Sequence, residues 1–415
     1  MSLQDWLALG ALAAGLLALP AARVAWRSAR RTDREDEFRT QLASLRSNQA
    51  EFTRHALDRS PEHWQYPGFP MLVRPGWIPD APFDLDEIRL VWRGTPYETS
   101  APSLRSASRV MSALQLGDIT NYSTALTRVA GMTSLFDGKI YRLVDADLKS
   151  DSKQMAFTES SYFAYLDSSE VLAFETARVA SKRWPSGRKT HRRHLADPFD
   201  FRNRVVGLGI DTLTIRSCGD KAGFFLHRRD PSRVVNNAGQ IGLIPAGEFT
   251  PSDLSIETTE NDFDLWKNIM REYAEEFLGF VDAQGQGGRW LDYVKEAPYR
   301  QLADAKARGK LKVKVLGLGL DPLPWKPELL TVCVIEAQSF DAIFGRMVRR
   351  NSEGLILAGG GKEGLPFDAV TIERYCKDDD ISLNAKACLQ LAWRFRADLR
   401  LPGGKSEWSA PRESS

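Results

Sequence analysis

The chain is poor in the residues that build redox or thiolate chemistry. It has four cysteines (Cys218, Cys333, Cys376, Cys388), no CxxC pair, and five histidines in 415 residues. That spacing excludes a disulfide framework and a cysteine-rich zinc site. Cys218 and Cys333 fall in apolar, strand-like runs and read as reduced core thiols, which points to a reducing compartment. An excess of charge of one sign is also missing, with 56 Lys and Arg against 54 Asp and Glu for a formal net charge of +2. No global field draws the chain to nucleic acid, so electrostatic recognition must be local. The phosphate-loop and nucleophile motifs are absent too. GGGK at 359–362 lacks the Walker spacing and the following Ser or Thr, Gly317 and Gly319 sit inside a strand without GxGxxG, and there is no GxSxG elbow.

Long apolar runs are absent with one exception. From Trp6 to Ala22 no charge interrupts the sequence, and Arg23, Arg27, Arg30, Arg31 and Arg34 follow directly. Such a run is at the lower limit for a membrane-spanning helix, and basic residues on its C-terminal side place the bulk of the chain in the cytoplasm. The expectation is a single-pass anchor over 1–27 in the inner membrane, with membrane lipid as a partner. A signal peptide or a short buried helix are the other readings of the same run.

What the sequence does have is the composition of a globular protein, 43% hydrophobic and 27% charged. Residues 28–60 lack Gly and, up to Ser60, Pro. Phe38, Leu42, Leu45 and Phe52 recur there at near-helical spacing, which predicts a helical stalk. Prolines crowd 61–102 and predict a linker. Residues 103–200 alternate strand-like and helical runs, as a small mixed α/β subdomain would. Within it, KRWPSGRKTHRRH (182–194) is a basic stretch that reads as a solvated loop or a phosphate-, lipid- or nucleic-acid-binding one. Residues 402–415 read as a disordered tail.

The clearest pattern lies in 201–401. IDTLTIRS (210–217) and AGFFLHRR (222–229) predict a hairpin, LKVKVLGLGL (311–320) and ELLTVCVIE (328–336) predict strands, and 290–308 and 384–397 predict helices. Between them stands DFDLWKNIMREYAEEFLGF. Leu265, Ile269, Tyr273 and Phe277 recur every fourth residue, so this segment buries one face as a helix, starting near Asn261 or Asp264 and stopping at Gly279. On such a helix Glu272, Glu275 and Glu276 share a side. Like charges at those spacings cost about 0.2–0.5 kcal/mol per pair unless neutralised. A hard divalent cation that takes carboxylate and phosphate oxygens is the usual remedy. The spacing also suits a solvated face with Arg271 and Glu275 as an i,i+4 pair.

The run Arg271-Glu272-Tyr273-Ala274-Glu275-Glu276 resembles the second half of the Nudix box, Arg-Glu-U-x-Glu-Glu-x-Gly-U with U aliphatic. IPAGEF (244–249) stands where that family often has a Leu-Pro-Gly-Gly turn, and the flanking strands follow in the family's order. The resemblance covers about 205–340. It implies an α+β fold: a Nudix-like α/β/α layered domain with a mixed sheet, preceded here by one N-terminal transmembrane helix and a stalk. It implies Mg²⁺ or Mn²⁺ held by Glu275, Glu276 and Glu272, with Glu272 a ligand or general base and Arg271 an orienting ion-pair partner. The chain departs from the pattern in three places: TPSDLSIETTEN is inserted before the helix, Tyr273 takes an aliphatic position, and Gly279 comes one residue late. Glu248 is the candidate for the displaced first glutamate, held by Arg271. The implied partner is a nucleotide or a nucleoside diphosphate-linked small molecule. Two functions stay open, a pyrophosphohydrolase and a nucleotide-binding sensor without turnover.

Overall fold

A computed structural model describes residues 30–94, 101–184, 189–229, 239–280, 290–351, 354–359 and 361–402. Its strands are β1 (Phe83–Asp84), β2 (Arg89–Trp92), β3 (Lys139–Asp147), β4 (Gln154–Ser161), β5 (Gly209–Cys218), β6 (Lys221–Phe224), β7 (Leu226–Arg229), β8 (Ile241–Leu243), β9 (Ala246–Glu248), β10 (Leu311–Leu320), β11 (Pro327–Glu336), β12 (Gly354–Leu357) and β13 (Leu365–Pro366). Seven of them form one sheet in the order β1-β10-β11-β5-β6-β13, with β9 also paired to β5. Two three-stranded sheets, β12-β7-β8 and β2-β4-β3, stand beside it.

The central sheet is mixed because β11 runs parallel to β5 while its other pairings are antiparallel. A strand buried on both faces reads as a continuous apolar run, and β11 does so. Leu329, Cys333 and Ile335 enter one cluster with Trp266, Tyr273 and Phe277, whereas Leu330 and Val332 enter another with Ala385, Cys388 and Leu389. That alternation is the period-two geometry of a strand. Helices Leu265–Glu272, Tyr299–Ala307 and Ala337–Phe344 cover the first face, and Leu383–Arg394 covers the second. The β5–β6 hairpin forms, and at Phe225 the chain leaves the large sheet so that β7 pairs with β8 and β12.

The fold is α+β with mixed sheets, and the expected plan of anchor, stalk and Nudix-like domain is corrected. Among the described residues no helix is long and apolar enough to cross a membrane, and the anchor expected over 1–27 lies outside them. So does the tail expected at 402–415, apart from Pro402. The stalk is not one. Helix 30–47 and helix Gln49–Asp58 bury Phe38, Leu42, Leu45 and Phe52 in a cluster with Val110, Leu126 and Phe174. Their apolar stripe needs a partner, and the body of the protein supplies it. Neither is the central sheet confined to 201–401. Phe83 of β1 pairs with Val315, and Leu72, Trp77, Tyr141 and Phe157 share a core with Phe249 and Trp266.

Candidate functional site

The acidic helix begins where Asp264 caps it, accepting from the Lys267 amide at 3.0 Å. It runs as α-helix through Glu272 and continues as a π-turn over Tyr273–Phe277. A π-turn carries one residue more per turn than the α pattern allows for. This accounts for the late Gly279, which closes the helix at φ +74° with its amide on the Glu275 carbonyl at 3.0 Å. Tyr273 stands where an aliphatic residue was expected because its hydroxyl crosses to β5, 2.8 Å from Thr214 Oγ1 in the core.

The π-turn also parts the three glutamates. Glu272 and Glu275 line a cavity of about 580 Å³, to which Arg271 and Glu248 also contribute. Glu276 is 5% exposed and is not part of that lining. Its carboxylate accepts from the Ala246 amide at 3.2 Å. Glu272 packs on the backbone of Gly247, where a Cβ would meet its carboxylate, so a larger residue there would displace the Glu272 side chain. Glu272, Glu275 and Glu248 therefore meet at one cavity, while Glu276 is tied to β9.

Arg271 does not hold Glu248. It is 3% exposed, and its guanidinium contacts Asp262 Oδ2 at 3.1 Å, Asn268 Oδ1 at 2.7 Å and the Thr250 carbonyl at 2.5 Å. Asp262 is fully buried and also accepts from the Ser252 amide and the Tyr293 hydroxyl, each at 2.8 Å. The inserted segment explains this arrangement. It folds into helix Ile256–Asn261, capped by Ser255, and delivers Asp262 to the arginine. A buried charge needs a paired, hydrogen-bonded partner, and the insertion supplies one in place of Glu248.

Glu248 belongs to a second group that sequence reasoning missed. Its Oε1 lies 2.5 Å from Lys326 Nζ, which also contacts Glu328 Oε1 at 3.1 Å. Asp211 of β5 and Glu328 of β11 come from neighbouring strands, and with Glu170 and Asp321 they complete an acidic wall of the same cavity. Asp211 accepts from Asn384 Nδ2 at 2.7 Å, while its other oxygen is buried without a hydrogen-bond partner. Burial pushes the Asp211 and Glu328 carboxyls above the usual carboxylate range, Glu328 well above it. Burial works the other way on Lys326, yet Glu248, Glu328 and Asp211 hold its ammonium well above the ordinary lysine value. A charged residue inside an apolar strand was the available signal, since Asp and Glu are rarely buried without a partner.

The cavity also has an apolar and aromatic lining. Leu42, Leu45, Tyr122, Leu126, Tyr162 and Tyr165 line it, with Arg46 and Arg229 also on the cavity. Where it is described, the basic stretch 182–194 exposes Lys182, Arg183, Lys189, Arg193 and His194 to solvent and turns two side chains inward. Arg192 is held by the Pro322 carbonyl at 2.9 Å and stacks on Trp325, and His191 is buried with Nδ1 2.6 Å from Ser106 Oγ. Cys218 is exposed at the end of β5, whereas Cys333 and Cys388 are buried and all four thiols are free.

Glu272 and Glu275 bring carboxylate oxygens to the cavity, the donors a hard divalent ion takes. Among the described residues no group of three His, Cys, Asp or Glu side chains could hold a metal ion unaided. The residues thus fit Mg²⁺ bound by one or two carboxylates with water and ligand phosphate completing its shell, a mode that ion favours. No family model matches the chain, and no curated protein matches it.

Proposed function

We propose that the chain is a metal-dependent hydrolase of Nudix type that cleaves a nucleoside diphosphate-linked or other organic pyrophosphate. The observation that carries this reading is the meeting of Glu272, Glu275 and Arg271 with Glu248 on one 580 Å³ cavity. The cavity has a charged part for a pyrophosphate and an aromatic, aliphatic part for the organic group, the division that small-molecule sites use. Glu272 and Glu275 would hold Mg²⁺ or Mn²⁺, which when bound neutralises phosphate charge and lowers the pKa of water. Glu272 sits at the junction of helix and β9, so it is the carboxylate suited to accept a proton from an attacking water. Arg46, Arg229 and Lys326 supply cationic donors to phosphate oxygens.

A second reading, a nucleotide-binding module without turnover, is favoured by one observation: Glu248 is occupied by Lys326. Both are tested on the full chain, because helices from residue 30 onward belong to the core. The protein is incubated with nucleoside diphosphate sugars, dinucleoside polyphosphates and related pyrophosphates with Mg²⁺, and products are resolved by ion-exchange chromatography. Turnover that Glu275→Gln abolishes supports the hydrolase. Thermal stabilisation by a nucleotide with no product supports the binding module, and neither effect with any compound defeats both.

A further inference from the structure

The loop Asp321–Lys326 is more tightly held than a surface connection between two strands requires. The Asp321 amide donates to the Lys326 carbonyl at 2.8 Å, and the Leu323 amide donates to Asp321 Oδ1 at 2.8 Å. Arg192 donates to the carbonyls of Pro322 and Leu323, and Arg204, fully buried, donates to the Trp325 carbonyl at 2.9 Å. Both guanidinium groups lie over the Trp325 ring, at 4.4 and 5.6 Å from its centroid. Trp325 itself has φ +56°. A bulky residue in the left-handed region is strained and persists only where its surroundings over-determine it. Buried Arg204, half-buried Arg192 and Trp325 fix the backbone from which Lys326 projects.

What that loop delivers is a cation among carboxylates. Lys326 Nζ bridges Glu248 Oε1 and Glu328 Oε1 at 2.5 and 3.1 Å, with the buried, hydrogen-bond-free oxygen of Asp211 on the same cavity wall. Glu248 of β9 and Glu328 of β11 otherwise bring two carboxylates to one point, a number that a hard divalent ion can take with water completing its shell. At Gly209, any side chain would collide with the Glu328 carboxylate, so the backbone is shaped to bring Glu328 in. The geometry points to Lys326 as the built-in cation of this wall: its ammonium occupies the position between Glu248 and Glu328 that a metal ion would otherwise take. The wall faces an anionic ligand through a fixed ammonium, and any metal is confined to the Glu272 and Glu275 side. Only that last clause rests on the proposed hydrolase reading.

The test counts bound Mn²⁺ by loss of the free-ion electron paramagnetic resonance signal. Lys326→Met should bind one more Mn²⁺ per chain than wild type, Lys326→Arg no more, and Lys326→Met combined with Glu328→Gln should lose the gain. A folded Lys326→Met with an unchanged count overturns the inference. If that variant does not fold, wild-type crystals soaked in Mn²⁺ decide: an anomalous peak between Glu248 and Glu328 overturns the inference, and its absence there beside a peak at Glu275 supports it. The two readings fail separately. Wild type that binds no Mn²⁺ while Lys326→Met binds one defeats the metal-dependent hydrolase and keeps the built-in cation, whereas loss of the wild-type ion in Glu275→Gln supports the hydrolase alone.

Discussion

The cavity has two acidic walls that deal with charge in opposite ways. On the helix wall the carboxylates are neighbours in sequence, and Glu272 and Glu275 remain half-exposed beside the space a ligand would fill. On the sheet wall Asp211, Glu248 and Glu328 come from three strands, Lys326 sits between Glu248 and Glu328, and burial raises the Asp211 and Glu328 carboxyls above their ordinary values. Helical spacing concentrates charge where water can still reach it, and strand pairing buries charge that must be compensated at once. The first wall keeps its carboxylates beside the cavity space, and the second is already supplied with a cation.

The contrast breaks hardest at Arg271, the residue that roots the helix wall. Its partner Asp262 has a side chain with no exposure and Arg271 only 4%, so removing either leaves an uncompensated buried charge. Arg271→Ala should cost about 3–5 kcal/mol in chemical denaturation. A loss below about 1 kcal/mol, the range of an exposed pair, would show that the inserted segment does not anchor the helix. The sheet wall breaks through pH. Burial raises the Glu170 carboxyl above its ordinary value, with Asp321 and Glu248 adding to the effect and the Tyr165 hydroxyl and Lys326 opposing it. The folded chain then keeps a proton that the unfolded chain releases, so its contribution is complete below the unfolded pKa and is lost as pH rises through the folded one. Glu170→Gln carries no such loss. Its stability relative to wild type should rise with pH across that window, by at most about 1.4 kcal/mol per pH unit. Because Glu170 faces the cavity and is only partly shielded, the slope should fall short of that ceiling. Denaturation curves at pH 5 and 8 that shift in parallel would show the site to be ordinary.

How much of this could be read from the chain follows the same division. The stripe Leu265, Ile269, Tyr273 and Phe277 is buried as its spacing implied, and the capping role of Asp264 was visible three residues before the Lys267 amide it accepts from. Local periodicity carries that information. The π-turn was not legible, because a 3.6-residue pattern does not mark where one extra residue enters, yet it removes Glu276 from the cavity. Helix 290–308 begins only at Tyr299, directly after Pro298, and Tyr293 before it is hydrogen-bonded to Asp262. Of the sheet wall the sequence singled out only Glu248, and assigned it to Arg271 where Lys326 holds it. The wall's members are brought together by the β5–β11 and β5–β9 pairings, and no single window of sequence contains them. Residues 30–58 misled for a related reason: an amphipathic helix specifies that one face is buried, not against what.

Smaller changes sharpen the contrast within the helix itself. Tyr273→Phe removes the hydroxyl that meets Thr214, but Thr214 still donates to the Ile244 carbonyl at 2.7 Å, so the loss should be about 1 kcal/mol. A larger loss would mean that the crossing from π-turn to β5 holds the turn open. Glu275→Gln is the smallest in stability and the most telling in function. Glu275 is half-buried at the cavity edge, and a neutral isostere there should alter stability by no more than about 0.5 kcal/mol. Turnover, where a substrate is found, should fall beyond detection. Equal damage to stability and turnover would place Glu275 with Glu276 among the groups that hold the helix to β9, and would leave the cavity without its metal-facing wall.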